Sequence, residues 1–182
     1  MRTNAWVFTS ACWLCAGLPL LSQASSPSVR EYQIKAAFLY NFAKFVDWPG
    51  AAADSSQPLV IAVFGADPFG PVLDETVRGR LVQGRQVMVR RPTRAGDLLP
   101  CQVRFVGSSE KSRLAGILRA VEGSGVLVVG EMDGFLRLGG MIAFSVEDGK
   151  VRFEINEEAA RRDGLKIDSK LLVLAKAPRA AK

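Results

Sequence analysis

Between Val29 and Trp48 the apolar positions return with helical spacing. Ile34, Ala37, Phe38, Asn41, Phe42 and Phe45 fall at i, i+3, i+4, i+7, i+8 and i+11. Leu39, Ala43 and Val46 widen the apolar surface, so this helix is expected to be buried on more than one side, with Pro49-Gly50 as its stop. Asn41 lies inside the stripe, where a buried amide needs either a hydrogen-bond partner or a ligand. Further along, short uninterrupted apolar runs alternate with helical patterns. Leu59–Phe64, Gln86–Val89, Val103–Val106 and Val126–Val129 read as strands covered on both faces. Asp67-Pro68 reads as the cap and first residue of a helix through Phe69, Leu73 and Val77, and Ser109 opens another through Leu114, Leu118 and Val121. Such alternation predicts a mainly parallel sheet.

The rhythm changes at the end. Met141–Val146 and Lys150–Ile155 are joined around Asp148-Gly149, a β-hairpin signal. Asn156 caps a short helix through Ala160, closed by Gly164, and Ser169–Lys176 reads as a last short helix, with a strand as the alternative. The expected fold is therefore an α/β layered sandwich: a mainly parallel sheet of about six strands, flanking helices and a C-terminal hairpin.

The first residues have a different character. Arg2 precedes an uncharged, mostly apolar run from Ala5 to Leu21, interrupted by Pro19, and Ser22-Gln23-Ala24 places small residues at −3 and −1 of a cut. These are the parts of a cleavable secretory signal, predicting a periplasmic protein that begins at Ser25. The run only matches the shortest spanning helices, at ~17 residues, and no later segment is long and apolar enough to span a bilayer. Residues 25–182 suit one domain with a core of its own.

Composition then removes chemistries. The chain has 182 residues, a net charge of +6 and no histidine, which excludes His-based triads, His-ligated zinc and the usual neutral-pH proton shuttle. The basic residues are dispersed, with no aromatic interleaving that would suggest a nucleic-acid groove. Cys12 and Cys15 leave with the signal, so the mature monomer holds Cys101 alone and has no internal disulfide. Cys101 is then a buried structural thiol or a link to another chain. The turn Gly65-Ala66-Asp67-Pro68-Phe69-Gly70 lacks the residues of a phosphate loop and reads as structural. Glu131 and Asp133 follow a strand end, where open α/β sheets bind ligands. They are candidate ligand-binding residues with Asn41, and the only candidate acid–base pair for a hydrolase. No cofactor or metal is implied.

Two long segments resemble the YfiR-like family. Tyr32-Gln33-Ile34-Lys35-Ala36-Ala37-Phe38-Leu39-Tyr40-Asn41-Phe42-Ala43-Lys44-Phe45-Val46-Asp47-Trp48-Pro49 is similar to its opening. Gly139-Gly140-Met141-Ile142-Ala143-Phe144, with Val151-Arg152-Phe153-Glu154-Ile155-Asn156 and Gly164-Leu165-Lys166-Ile167, then Ser169-Lys170-Leu171-Leu172, is similar to its close. Cys101 before Val103-Arg104-Phe105-Val106 resembles its central strand. The resemblance implies a non-enzymatic periplasmic protein, often dimeric, that represses an inner-membrane diguanylate cyclase through the cyclase's periplasmic sensor region. An outer-membrane lipoprotein relieves that repression by sequestration, and the output is cyclic-di-GMP, hence biofilm and motility. The internal disulfides of the characterised type have no counterpart in the mature chain here. A small-molecule-binding module acting with a histidine kinase or transporter is the alternative. The partner surface is expected on Met141–Leu172, with Glu154 and Lys170 as polar contacts and Phe144 as an anchor if it faces outward.

Overall fold

The computed structural model describes residues 27–49, 56–93 and 100–176. The expected leader and its cut after Ala24, with Cys12 and Cys15, fall outside these residues. Helix α1 spans Pro27–Lys44. It is followed by β1 (Val46–Asp47), β2 (Leu59–Phe64), α2 (Pro71–Val77), β3 (Leu81–Val82), β4 (Arg85–Arg90) and β5 (Val103–Val106). A 3-10 turn at Ser108–Arg113 leads into α3 (Leu114–Val121) and then β6 (Leu127–Gly130). The hairpin β7 (Ile142–Glu147) and β8 (Lys150–Ile155), α4 (Glu157–Arg162), β9 (Lys166–Ile167) and α5 (Ser169–Leu174) complete the order.

Seven strands form one sheet in the order β3-β4-β2-β5-β6-β7-β8. The run from β4 to β7 is parallel, and antiparallel partners cap both edges: β3 against β4, and β8 against β7. The mixed α/β sandwich and its hairpin are as the pattern predicts. Every residue of β5 and β6 is buried, which is why these central strands read as continuous rather than alternating apolar runs. On one face, α1 and α2 close the larger core. Phe38 and Phe42 of α1 meet Phe144 and Phe153 of the hairpin at ring separations of 5.1–6.2 Å. On the other face, α3 sets Leu114, Leu118 and Val121 against Ala62, Val106 and Val128.

The structure corrects several local expectations. Helix α1 stops at Lys44, four residues early, because Val46 and Asp47 pair with Ile167 and Lys166 in a separate two-stranded ladder. Asp168 N–H adds a bond of 2.9 Å to the Phe45 carbonyl. The buried stripe of α1 is Lys35, Ala36, Leu39, Phe42 and Ala43, while Ile34 and Ala37 are exposed. With apolar residues on several sides of α1, docking onto the sheet selects the stripe. Helix α2 begins at Pro71 rather than Pro68, because the Asp67 carboxylate accepts the Phe69 N–H (2.7 Å) and holds that stretch in a turn. Arg91 then ties Asp67 (2.6 Å) to Asp74 (2.5 Å), so this turn is a structural clamp. The two-residue strands β1, β3 and β9 are too short to leave a period in the sequence. The last segment is helical over Ser169–Leu174, after which Lys176 makes a parallel bridge to Glu154.

Candidate functional site

At the C-terminal ends of the parallel strands, a connection from Glu131 to Met141 joins β6 to β7. It is held by Phe135, which is 1% exposed. A side chain at Gly130 or Gly140 would place its Cβ 2.4 or 2.2 Å from the Phe135 ring, so glycine at both positions reflects close approach. Gly140 N–H also donates to the Phe135 carbonyl at 3.0 Å.

Asn156 joins this loop to the end of the hairpin. Its Nδ2 donates to the Leu136 carbonyl (3.2 Å), its Oδ1 accepts from Ala159 N–H (3.0 Å) as the cap of α4, and its own N–H donates to Met141 (2.8 Å). Opposite, the chain leaving α5 returns to the sheet edge. Lys176 N–H donates to the Phe153 carbonyl at 2.9 Å, and its Nζ reaches both Glu147 carboxylate oxygens at 2.6 Å. Between the Phe135 loop, the start of α4 and Lys176 opens a cleft of about 870 Å³ over the hairpin, walled by Phe135, Leu136, Leu172 and Ala175. Ser145 lines it, and its hydroxyl is shielded from solvent without a hydrogen-bond partner.

Four of the six residues singled out in the sequence border this cleft: Glu131, Asp133, Phe144 and Glu154. Asn41 is half-buried on α1 and Lys170 is exposed on α5, and neither lines it. Two roles change. Phe144 is 4% exposed with its ring stacked on Phe42, so it is a core residue and not an outward anchor. Nor do Glu131 and Asp133 act as a carboxylate dyad. Glu131 is committed to α1: Lys35 Nζ lies 2.6 Å from one oxygen and the Tyr32 hydroxyl donates to the other at 3.1 Å. Asp133 is exposed on the loop.

The Lys35 side chain is 4% exposed and also pairs with Glu31. It sits 4.7 Å from the Tyr32 ring centroid and 5.9 Å from that of Phe144. Burial and the neighbouring Glu131 charge push the Tyr32 hydroxyl well above the usual phenol range, so Tyr32 stays a proton donor to that carboxylate. This buried charge network escapes a pattern reading. Its only trace in the sequence is a lysine one residue from the buried Ala36 and four from Leu39. No group of three or more metal-ligating side chains is clustered among the described residues.

No curated protein matches the sequence. The ABC domain in complex with L-Trp from Streptococcus pneumonia shares the fold, with a TM-score of 0.53 at 9% identity, covering 78% of this chain and 59% of that one. A conserved domain protein from Vibrio cholerae O1 biovar El Tor aligns with a TM-score of 0.48 at 14% identity, covering 65% and 54%. The chain thus spans little more than half the length of these two structures. The family described as YfiR/HmsC-like (DUF4154) matches residues 32–176, which takes in both edges of the sheet, most of α1 and the whole cleft, and the chain belongs to that family.

Proposed function

We propose that the protein is a periplasmic regulatory binding protein. It biases an inner-membrane signalling protein, a diguanylate cyclase in the first instance, by occupying the periplasmic sensor region, and so sets cyclic-di-GMP. Membership of the YfiR/HmsC-like family over residues 32–176 carries this reading. Bound to one state of the sensor, such a protein shifts the population toward that state, and sequestration by an outer-membrane lipoprotein removes the bias. In this reading the leader is removed after Ala24, the mature chain works in the periplasm as a dimer, and it performs no catalysis.

Two measurements test it together. Deleting the gene should raise cellular cyclic-di-GMP, and crosslinking in intact cells should capture an inner-membrane sensor. Intact-mass analysis of periplasmic extract should give a chain beginning at Ser25. Charge reversal at Lys170, exposed on α5, should weaken control while leaving the melting temperature nearly unchanged, because exposed charges contribute little to stability. An unchanged cyclic-di-GMP level on deletion, with no membrane protein captured, sinks the proposal.

A second reading is a small-molecule-binding module serving a histidine kinase or transporter. It is favoured by the cleft, whose 870 Å³ falls within the range of roughly 300–1,000 Å³ common for small-ligand sites. A rise in melting temperature with L-tryptophan in the absence of any partner would support it.

A further inference from the structure

The cleft has the opposite charge to the molecule around it. The protein carries +6 overall, yet the cleft is bordered by Glu131, Asp133, Glu154 and Glu157 against Arg137 and Lys176. Two of these are answered from behind: Glu131 by Lys35, and Lys176 by Glu147. The rim therefore presents Asp133 and Glu157 against Arg137, a local excess of negative charge. Between these carboxylates the walls are apolar, and α5 extends that character outward, with Val173 83% and Leu174 65% exposed. On the floor, the Ser145 hydroxyl has no protein partner.

We infer that this cleft docks a cationic amphipathic peptide segment of the membrane partner. Apolar side chains of the segment would lie between Leu136 and Leu172. Its lysine or arginine groups would face Asp133 and Glu157. The inference rests on the regulatory reading above and specifies the partner's chemistry. Charge decides among occupants. An acidic ligand or an anionic lipid surface would meet like charge at the rim, whereas a basic segment gains at the cleft and is repelled elsewhere by the protein's positive surface. That contrast gives both orientation and specificity.

The probe is a fluorescein-labelled twelve-residue peptide of alternating leucine and lysine, with a leucine–glutamate peptide as its counterpart. Anisotropy titrations should show the lysine peptide binding the full protein, the glutamate peptide failing to bind, and affinity falling as salt rises. Asp133→Lys with Glu157→Gln should weaken binding by roughly tenfold or more. Asp133→Asn with Glu157→Gln should give an intermediate loss, and melting curves confirm that each variant is folded. Equal binding of the two peptides, or no loss in the rim variants, overturns the inference. So does sedimentation showing a wild-type dimer that the rim variants split, because the occupant would then be a second copy. Cyclic-di-GMP in a deletion strain separates the two levels of the argument. If deletion changes the level and the Asp133→Lys/Glu157→Gln protein still restores it fully, the docking assignment fails while the regulatory role stands. If deletion itself has no effect, the regulatory role fails.

Discussion

Lys35→Met tests whether the buried charge network holds α1 to the cleft loop. In the wild type, Lys35 is 4% exposed and its Nζ lies 2.6 Å from a Glu131 oxygen, with the Glu131 side chain 12% exposed. Methionine retains the stem and removes the charge, leaving Glu131 in the interior without its cation. Removing one partner of a buried pair costs about 3–5 kcal/mol. Here the Tyr32 hydroxyl still donates to Glu131 and the carboxylate keeps some access to water, so the expected loss is about 2–3 kcal/mol. For a chain of this size that lowers the melting temperature by roughly 4–12 °C. Circular dichroism melts at neutral pH read this directly. Adding Glu131→Leu should recover at least about 1 kcal/mol, because two desolvated charges are then replaced by apolar packing. A Lys35→Met protein that melts within about 1 °C of wild type would show that Glu131 does not depend on Lys35, and the account of the network would be wrong.

Three further outcomes follow from the packing. Gly140→Ala should destabilise by about 1–3 kcal/mol, since its Cβ would overlap the Phe135 ring. Chemical denaturation measures that loss, and a neutral effect would contradict the clasp around Phe135. Burial pushes the Cys101 thiol above its usual range, opposed by Arg104, whose Nη2 lies 3.4 Å from the sulfur. The native protein should therefore react slowly with a thiol reagent and promptly once denatured, and prompt native reaction would refute this. Burial likewise raises the Asp163 carboxyl, against the hydrogen bond it accepts from Gly123 N–H. A raised folded-state value means that stability is greatest below the unfolded value, about pH 4, and declines as pH rises through the folded one. Asp163→Asn should remove that decline, so the variant gains on wild type at neutral pH and the two converge in acid. Melts across this range decide it, and a variant that loses ground at neutral pH reverses the argument.

The sequence by itself determined the layers of this protein. Continuous apolar runs at Leu59–Phe64 and Val103–Val106 can be buried on both faces only inside a sheet covered on both sides, so their burial is local information. The Asp148-Gly149 turn is local for the same reason: Asp148 and Gly149 both adopt positive φ, which that dipeptide tolerates. The family was legible too, because its motifs lie in α1 and the hairpin, the elements that pack on each other. Tertiary structure decided what distance in sequence conceals. Which side of α1 faces inward depends on Phe144 and Phe153, more than a hundred residues away, since an apolar excess permits more than one docking. The pairing of Val46-Asp47 with Lys166-Ile167 depends on where the chain returns. The cleft followed the same rule. Glu131, Asp133 and Glu154 were recognisable as polar residues near strand ends, but their roles were not. Only packing brought Lys35 to Glu131, turned Phe144 inward and set Asp133 and Glu157 on one rim, because charge and burial at a point in space come from whichever segments meet there.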